Sequence, residues 1–122
     1  MLTNEIKVEL VRDDKGRLLG IKEIDVIHYY IRLYINEPDN DIIKVVYELD
    51  PTYFNSKIEI KADIKNFLTE ITSYGDYDIK VNIYYKDNID IVSINLYKAL
   101  EKTYQNDNSP EIKQALEQIK RL

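Results

Sequence analysis

Apolar and polar residues alternate one for one along several short stretches of this chain. That period of two marks β-strands buried on one face. The clearest case puts Ile79, Val81, Ile83 and Tyr85 on one side and Lys80, Asn82 and Tyr84 on the other. Residues 5–11 repeat the pattern with Ile6, Val8 and Leu10 inward. Residues 26–35 set Ile27, Tyr29, Ile31, Leu33 and Ile35 against His28, Tyr30, Arg32 and Tyr34. Further strands are predicted at 42–49 (Ile43, Val45, Tyr47 and Leu49 inward), 58–62, 67–71 and 89–96, and residues 18–24 read as a short return strand broken by Gly20.

Turn chemistry separates these runs at Asp13-Asp14-Lys15-Gly16, at 36–41, at Asp50-Pro51, at Tyr74-Gly75 and at Lys86-Asp87-Asn88. Short alternating strands with turns about every ten residues predict an all-β fold, an antiparallel sandwich of the immunoglobulin type. The pattern changes near the end. Ser109 is an N-cap, Pro110 suits the first helical position, and Ile112, Leu116 and Ile119 recur at helical spacing. A helix from Pro110 to about Lys120 follows. It either docks on its own domain or joins two chains into an oligomer. The expected division is a sandwich over 1–104 and a polar linker with the helix over 105–122.

Composition narrows the function. With 122 residues there is room for one real core. A net charge of −5 disfavours a nucleic-acid backbone and suits a basic protein or peptide partner. There is no cysteine, no apolar run of membrane-spanning length and no signal-peptide core, so the expected location is cytoplasmic. No G-x-S-x-G, P-loop or H-E-x-x-H run occurs, and neither enzymatic activity nor a cofactor is expected. His28, the single histidine, has no partners at ligand spacing and reads as a packed strand residue rather than a metal ligand. Glu37, Asp39, Asn40 and Asp41 read as a solvated loop. Eleven tyrosines against two phenylalanines favour surfaces that combine ring area with a hydroxyl. Tyr74-Gly75-Asp76-Tyr77 is the most suggestive group, a tight turn carrying two rings into the clearest strand.

Two stretches resemble the YEATS domain family. Lys44-Val45-Val46-Tyr47-Glu48-Leu49-Asp50-Pro51-Thr52-Tyr53 is similar to its K-V-V-F-x-L-H-x-S-F strand and loop. Thr69-Glu70-Ile71-Thr72-Ser73-Tyr74-Gly75-Asp76-Tyr77-Asp78-Ile79 is similar to its T-E-T-G-W-G-E-F-E-I, at the expected separation. Upstream, residues 28–35 resemble its H-x-W-x-V-F-V strand. The acidic, single-domain form looks like the prokaryotic branch. The resemblance implies a non-enzymatic module that binds acyl-lysine, or another small planar group, between two aromatic loops. By position, Thr52 stands for the family's serine, Tyr53 and Tyr74 for the two ring walls, and Tyr77 for the closing aromatic; Asp50, Ser73 and Gly75 complete the implied ligand-binding set. Asp50 replaces the family's histidine, and Ser73 replaces a glycine. The bland readings are that Tyr77 anchors the core, Tyr74 packs its loop and Asp50 closes a turn before Pro51. The competing class is a structural protein–protein interaction domain without a ligand pocket.

Overall fold

The computed structural model describes residues 5–24, 26–51, 56–72 and 75–121. Eight strands appear among them: β1 (Glu5–Leu10), β2 (Gly20–Glu23), β3 (Val26–Asn36), β4 (Lys44–Glu48), β5 (Lys57–Lys61), β6 (Thr69–Thr72), β7 (Asp78–Tyr84) and β8 (Ile89–Asn95). Two helices follow, α1 (Leu96–Thr103) and α2 (Pro110–Arg121). In the first sheet β1, β2 and β6 all pair with β3; the second runs β5-β4-β7-β8, and every pairing is antiparallel.

The alternation explains the layers. Ile31, Leu33 and Ile35 of β3 are fully enclosed, as are Val45 and Tyr47 of β4 and Ile79, Val81 and Ile83 of β7. These inward faces form one core, and each large side chain contributes on the order of 1.5–3 kcal/mol by leaving water. Tyr85, just past β7, packs on this core while its hydroxyl meets the Asp39 carboxylate at 3.2 Å.

Tyr47 brings a hydroxyl into the apolar centre. It donates to the Phe67 carbonyl at 2.7 Å, and burial pushes its phenol pKa up. Its acceptor lies in an irregular segment. Residues 65–67 form a short 3-10 turn in which Asn66 (φ 56°) and Phe67 (φ 54°) are left-handed. The strand predicted from Phe67 therefore starts at Thr69, while Phe67 stays buried. A second shift of parity occurs before β4. The Ile42 N–H bonds the Asp39 carbonyl, so Ile42 is buried and Ile43, expected inward, is exposed.

The largest departure from the sequence reading is α1. The last strand ends at Asn95, and the chain turns into a helix that packs against β1 of one sheet and β8 of the other. There the helix end meets an open strand edge. The Thr103 hydroxyl donates to the Val8 carbonyl, and the Tyr104 hydroxyl accepts the Leu10 N–H, both at 2.8 Å. Two backbone groups facing away from β3 are thus satisfied by side chains.

Helix α2 covers the other side of α1 and reaches β3. Ser109 Oγ accepts the Ile112 N–H at 3.4 Å, the cap expected from the sequence. Ile112, Ala115 and Ile119 are buried, and Leu116 is half-buried against the same core. Glu111 accepts the Leu18 N–H at 3.0 Å and lies 3.6 Å from Arg12. Of the two expectations for this helix, docking on its own domain is the one observed. The chain's own core occupies the apolar face of this helix.

Val81→Asp places an unpaired charge in the core and should cost about 4 kcal/mol or more. Lys80→Asp, on the exposed face of the same strand, should change stability by about 1 kcal/mol or less. Thermal melts of both variants check the register; equal losses would contradict it. Tyr104→Phe strips the Leu10 N–H of its acceptor and should cost about 1–3 kcal/mol. Tyr34→Phe loses only a 3.3 Å contact to Glu9. It serves as the control and should melt near the wild-type temperature.

Candidate binding site at one end of the sandwich

Glu48 pairs with Lys80 across β4 and β7. The end of β4 and the start of β7 therefore lie at the same end of the second sheet. The segment after β4 is pinched at its base, where the Leu49 N–H donates to the Ser56 carbonyl at 2.6 Å. The segment between β6 and β7 crosses from one sheet to the other and enters β7 beside it. The bases of both sequence-predicted loops are thus brought together.

The described part of the first loop includes Asp50, which is half-buried, and Pro51, which is exposed. Thr52, Tyr53, Ser73 and Tyr74 lie outside the described residues, and with them the expected facing of Tyr53 and Tyr74. Of the second loop, Gly75, Asp76 and Tyr77 are described. Gly75 is buried with φ at 129°, a backbone conformation that a side chain would oppose. Tyr77 is half-buried and packs against the core, which agrees with its reading as an anchor.

The second loop is fastened to α1. The first N–H groups of a helix lack partners within it. Here Leu96 N–H donates to the Tyr77 carbonyl at 2.9 Å, Tyr97 N–H to Asp76 Oδ1 at 3.0 Å, and Lys98 N–H to Asn95 Oδ1 at 3.0 Å. Two of these three acceptors belong to the loop. The Asp76 carboxylate also sits at the positive end of the helix dipole. Asn95 in turn donates to Asp78 Oδ1 at 3.1 Å, tying the loop exit, the end of β8 and the helix start into one group.

The charge at this end is mixed. The Asn82 amide, 2.6 Å from Glu48, holds the Glu48 carboxyl below the usual carboxylate range, and Lys80 and Lys57 each lie 3.8 Å from it. Asp50, Asp76 and Asp78 add negative charge around the loop bases. His28 is buried, with Nε2 3.4 Å from Glu23 on the neighbouring strand. It occupies the packed position the sequence suggested. Among the described residues no group of three or more His, Cys, Asp or Glu is arranged to hold a metal. No described helix is long and apolar enough to cross a membrane.

Asp76 and Asn95 were absent from the sequence-derived site. Their signal was a weak one: Asn95 as an N-cap ahead of Leu96 and Leu100, one helical turn apart.

A sandwich with two inter-strand loops based at one end is the architecture this geometry defines. The chain belongs to the prokaryotic YEATS domain family, whose model matches residues 29–97. Solved structures of similar fold include the Yaf9 YEATS domain recognising an H3K122suc peptide, with a TM-score of 0.54 and 20% identity over 76% of this chain and 68% of that one. The Yaf9 YEATS domain bound to H3K27ac gives 0.52 and 20% over 76% and 67%. The yeast AF-9 homolog protein Yaf9 gives the same four values. No curated protein matches the chain.

Asp76→Ala should free the Tyr97 N–H and cost about 0.5–2 kcal/mol, the usual cost of losing a helix cap. Amide hydrogen exchange should speed up at Tyr97 and at Gly75 together. Acceleration at Tyr97 alone would show that the loop does not depend on the helix.

Proposed function

We propose that this chain is a non-enzymatic binding module that takes a peptide carrying a modified lysine, or another small planar group, between the loops at 50–56 and 72–77. One observation carries the reading: Glu48 pairs with Lys80, so the first loop leaves and the second loop enters at one end of the second sheet. Family membership supports it, as do two Yaf9 YEATS domain structures, one recognising an H3K122suc peptide and one bound to H3K27ac.

In this reading Tyr53 and Tyr74 supply ring faces to a flat amide, each contact worth about 0.5–1.5 kcal/mol. Thr52 supplies a hydroxyl to the amide, and Gly75 and Tyr77 shape the loop from below. Ser73, in place of a glycine, adds a side chain beside Tyr74. Asp50 sets the preference. Its carboxylate repels an anionic group and narrows the advantage of a neutral acyl-lysine over a cationic lysine, so succinyl-lysine binds more weakly than acetyl-lysine. The partner is a basic segment, in keeping with the net charge of −5.

Titration of unmodified, acetyl-, crotonyl- and succinyl-lysine peptides against wild type, Tyr74→Ala and Asp50→His tests this. Tyr74→Ala should abolish binding. Asp50→His should move the preference toward the acylated peptides. No binding of any peptide at millimolar concentration would overturn the reading and favour an interaction domain without a pocket.

A further inference from the structure

The β1 edge, the end of β8 and one flank of α1 enclose an open groove of about 560 Å³ whose lining includes none of the loop residues 50–56 or 72–77. Ile6, Val8, Ile94 and Ala99 give it an apolar lining. Lys98 and Lys102 line it as well, both exposed and neither within 4 Å of a carboxylate among the described residues, although the Lys102 charge also acts on Glu5. The acid in the groove, Glu5, is already held by Lys7 at 3.0 Å, which keeps its carboxyl below the usual range. An acidic protein thus presents a locally cationic cleft.

The backbone adds a second recognition element. Val8 C=O and Leu10 N–H point away from β3, where the Thr103 and Tyr104 hydroxyls engage them. Strand period turns the N–H and C=O of Ile6 and the N–H of Val8 to that same edge. No turn or cap bond among the described residues uses them. An edge of this kind accepts an added strand.

We propose that this groove binds an extended acidic peptide, which pairs with the Ile6–Val8 edge of β1 and sets two carboxylates on Lys98 and Lys102. The spacing fits. Residues four apart on a helix are separated by about 6 Å along its axis. Alternate residues of an extended strand lie about 6.6 Å apart on one face. A Glu-x-Glu segment therefore meets both ammonium groups while its backbone stays in register with β1. Small apolar residues between the glutamates face the other way, toward Ile6 and Ile94. The occupant differs in charge from the basic peptide assigned to the loops, so the two sites select different partners.

The probe is a fluorescent peptide of about eight residues alternating valine and glutamate, titrated into the full chain by anisotropy at low salt. Saturable binding below about 1 mM is expected. It should weaken at least roughly tenfold in Lys98→Glu/Lys102→Glu and at high salt. It should persist in Tyr74→Ala, which separates this site from the loops. Amide shifts should centre on Ile6, Val8 and Ala99. A valine–lysine peptide and an N-methylated valine–glutamate peptide should bind far more weakly, the first by charge and the second by loss of strand pairing. Equal binding of either control, unchanged affinity in a folded double variant, or shifts centred on Gly75 to Tyr77 would overturn the proposal. Lys98→Gln/Lys102→Gln repeats the test if the charge-reversed variant is unstable.

Discussion

A β-sandwich must manage the strand edges along its sides, where backbone donors and acceptors lack a neighbour. Here eight residues of helix do so where β1 approaches β8. Thr103 and Tyr104 stand in for a missing strand by bonding Val8 and Leu10. At the other end of the same helix, Tyr77 and Asp76 supply acceptors for its first turn. The helix thus depends on both sheets, and the second loop depends on the helix. Remove that contact and the β1 edge opens, the loop loses its anchor and the groove beside Lys98 loses a wall.

The sequence was legible where burial on one face left a regular imprint. The inward residues of β1, β3 and β7 are those the pattern named, although His28 and Asn82 on the opposite faces of β3 and β7 are buried as well. α2 was legible because Ser109, Pro110 and the Ile112–Ile119 spacing agree with one another. The pattern misled where a turn changed parity. Ile42 and Ile43 exchanged roles because a backbone bond to Asp39 displaced the strand start. Phe67 looked like a strand residue because its ring is buried, yet its backbone is left-handed. α1 was hidden for a different reason. It is short, Tyr97 and Thr103 are poor helix formers, and its stability comes from acceptors distant in sequence that local propensity does not register. The candidate site was legible mainly through family resemblance. Alternation explains how β4 and β7 align, but nothing periodic marks Asp76 as the residue that fastens the second loop.

The two ends of charge selection follow from the same composition. A chain with a net charge of −5 attracts cations broadly, and Asp50, Asp76 and Asp78 concentrate that tendency near the loops. Lys98 and Lys102 reverse it locally on the far flank of α1. Surface charge here is a pattern rather than a total, and long-range attraction and short-range selection need not share a sign.

The second sheet also sets an order in time. β7 is paired on both sides and its Ile79, Val81 and Ile83 are enclosed, so its amides exchange only when the whole domain opens. β2 is paired with β3 through four residues that are all exposed, and such a ribbon opens locally at small cost. Beside β7 lies β4, also paired on both sides, whose end carries the first loop. The first loop's start and the second loop's exit are therefore rooted in a ladder with a fully enclosed face, while fraying is left to the β2–β3 hairpin. Such a platform keeps the loop bases registered through the fast local openings of the rest of the fold.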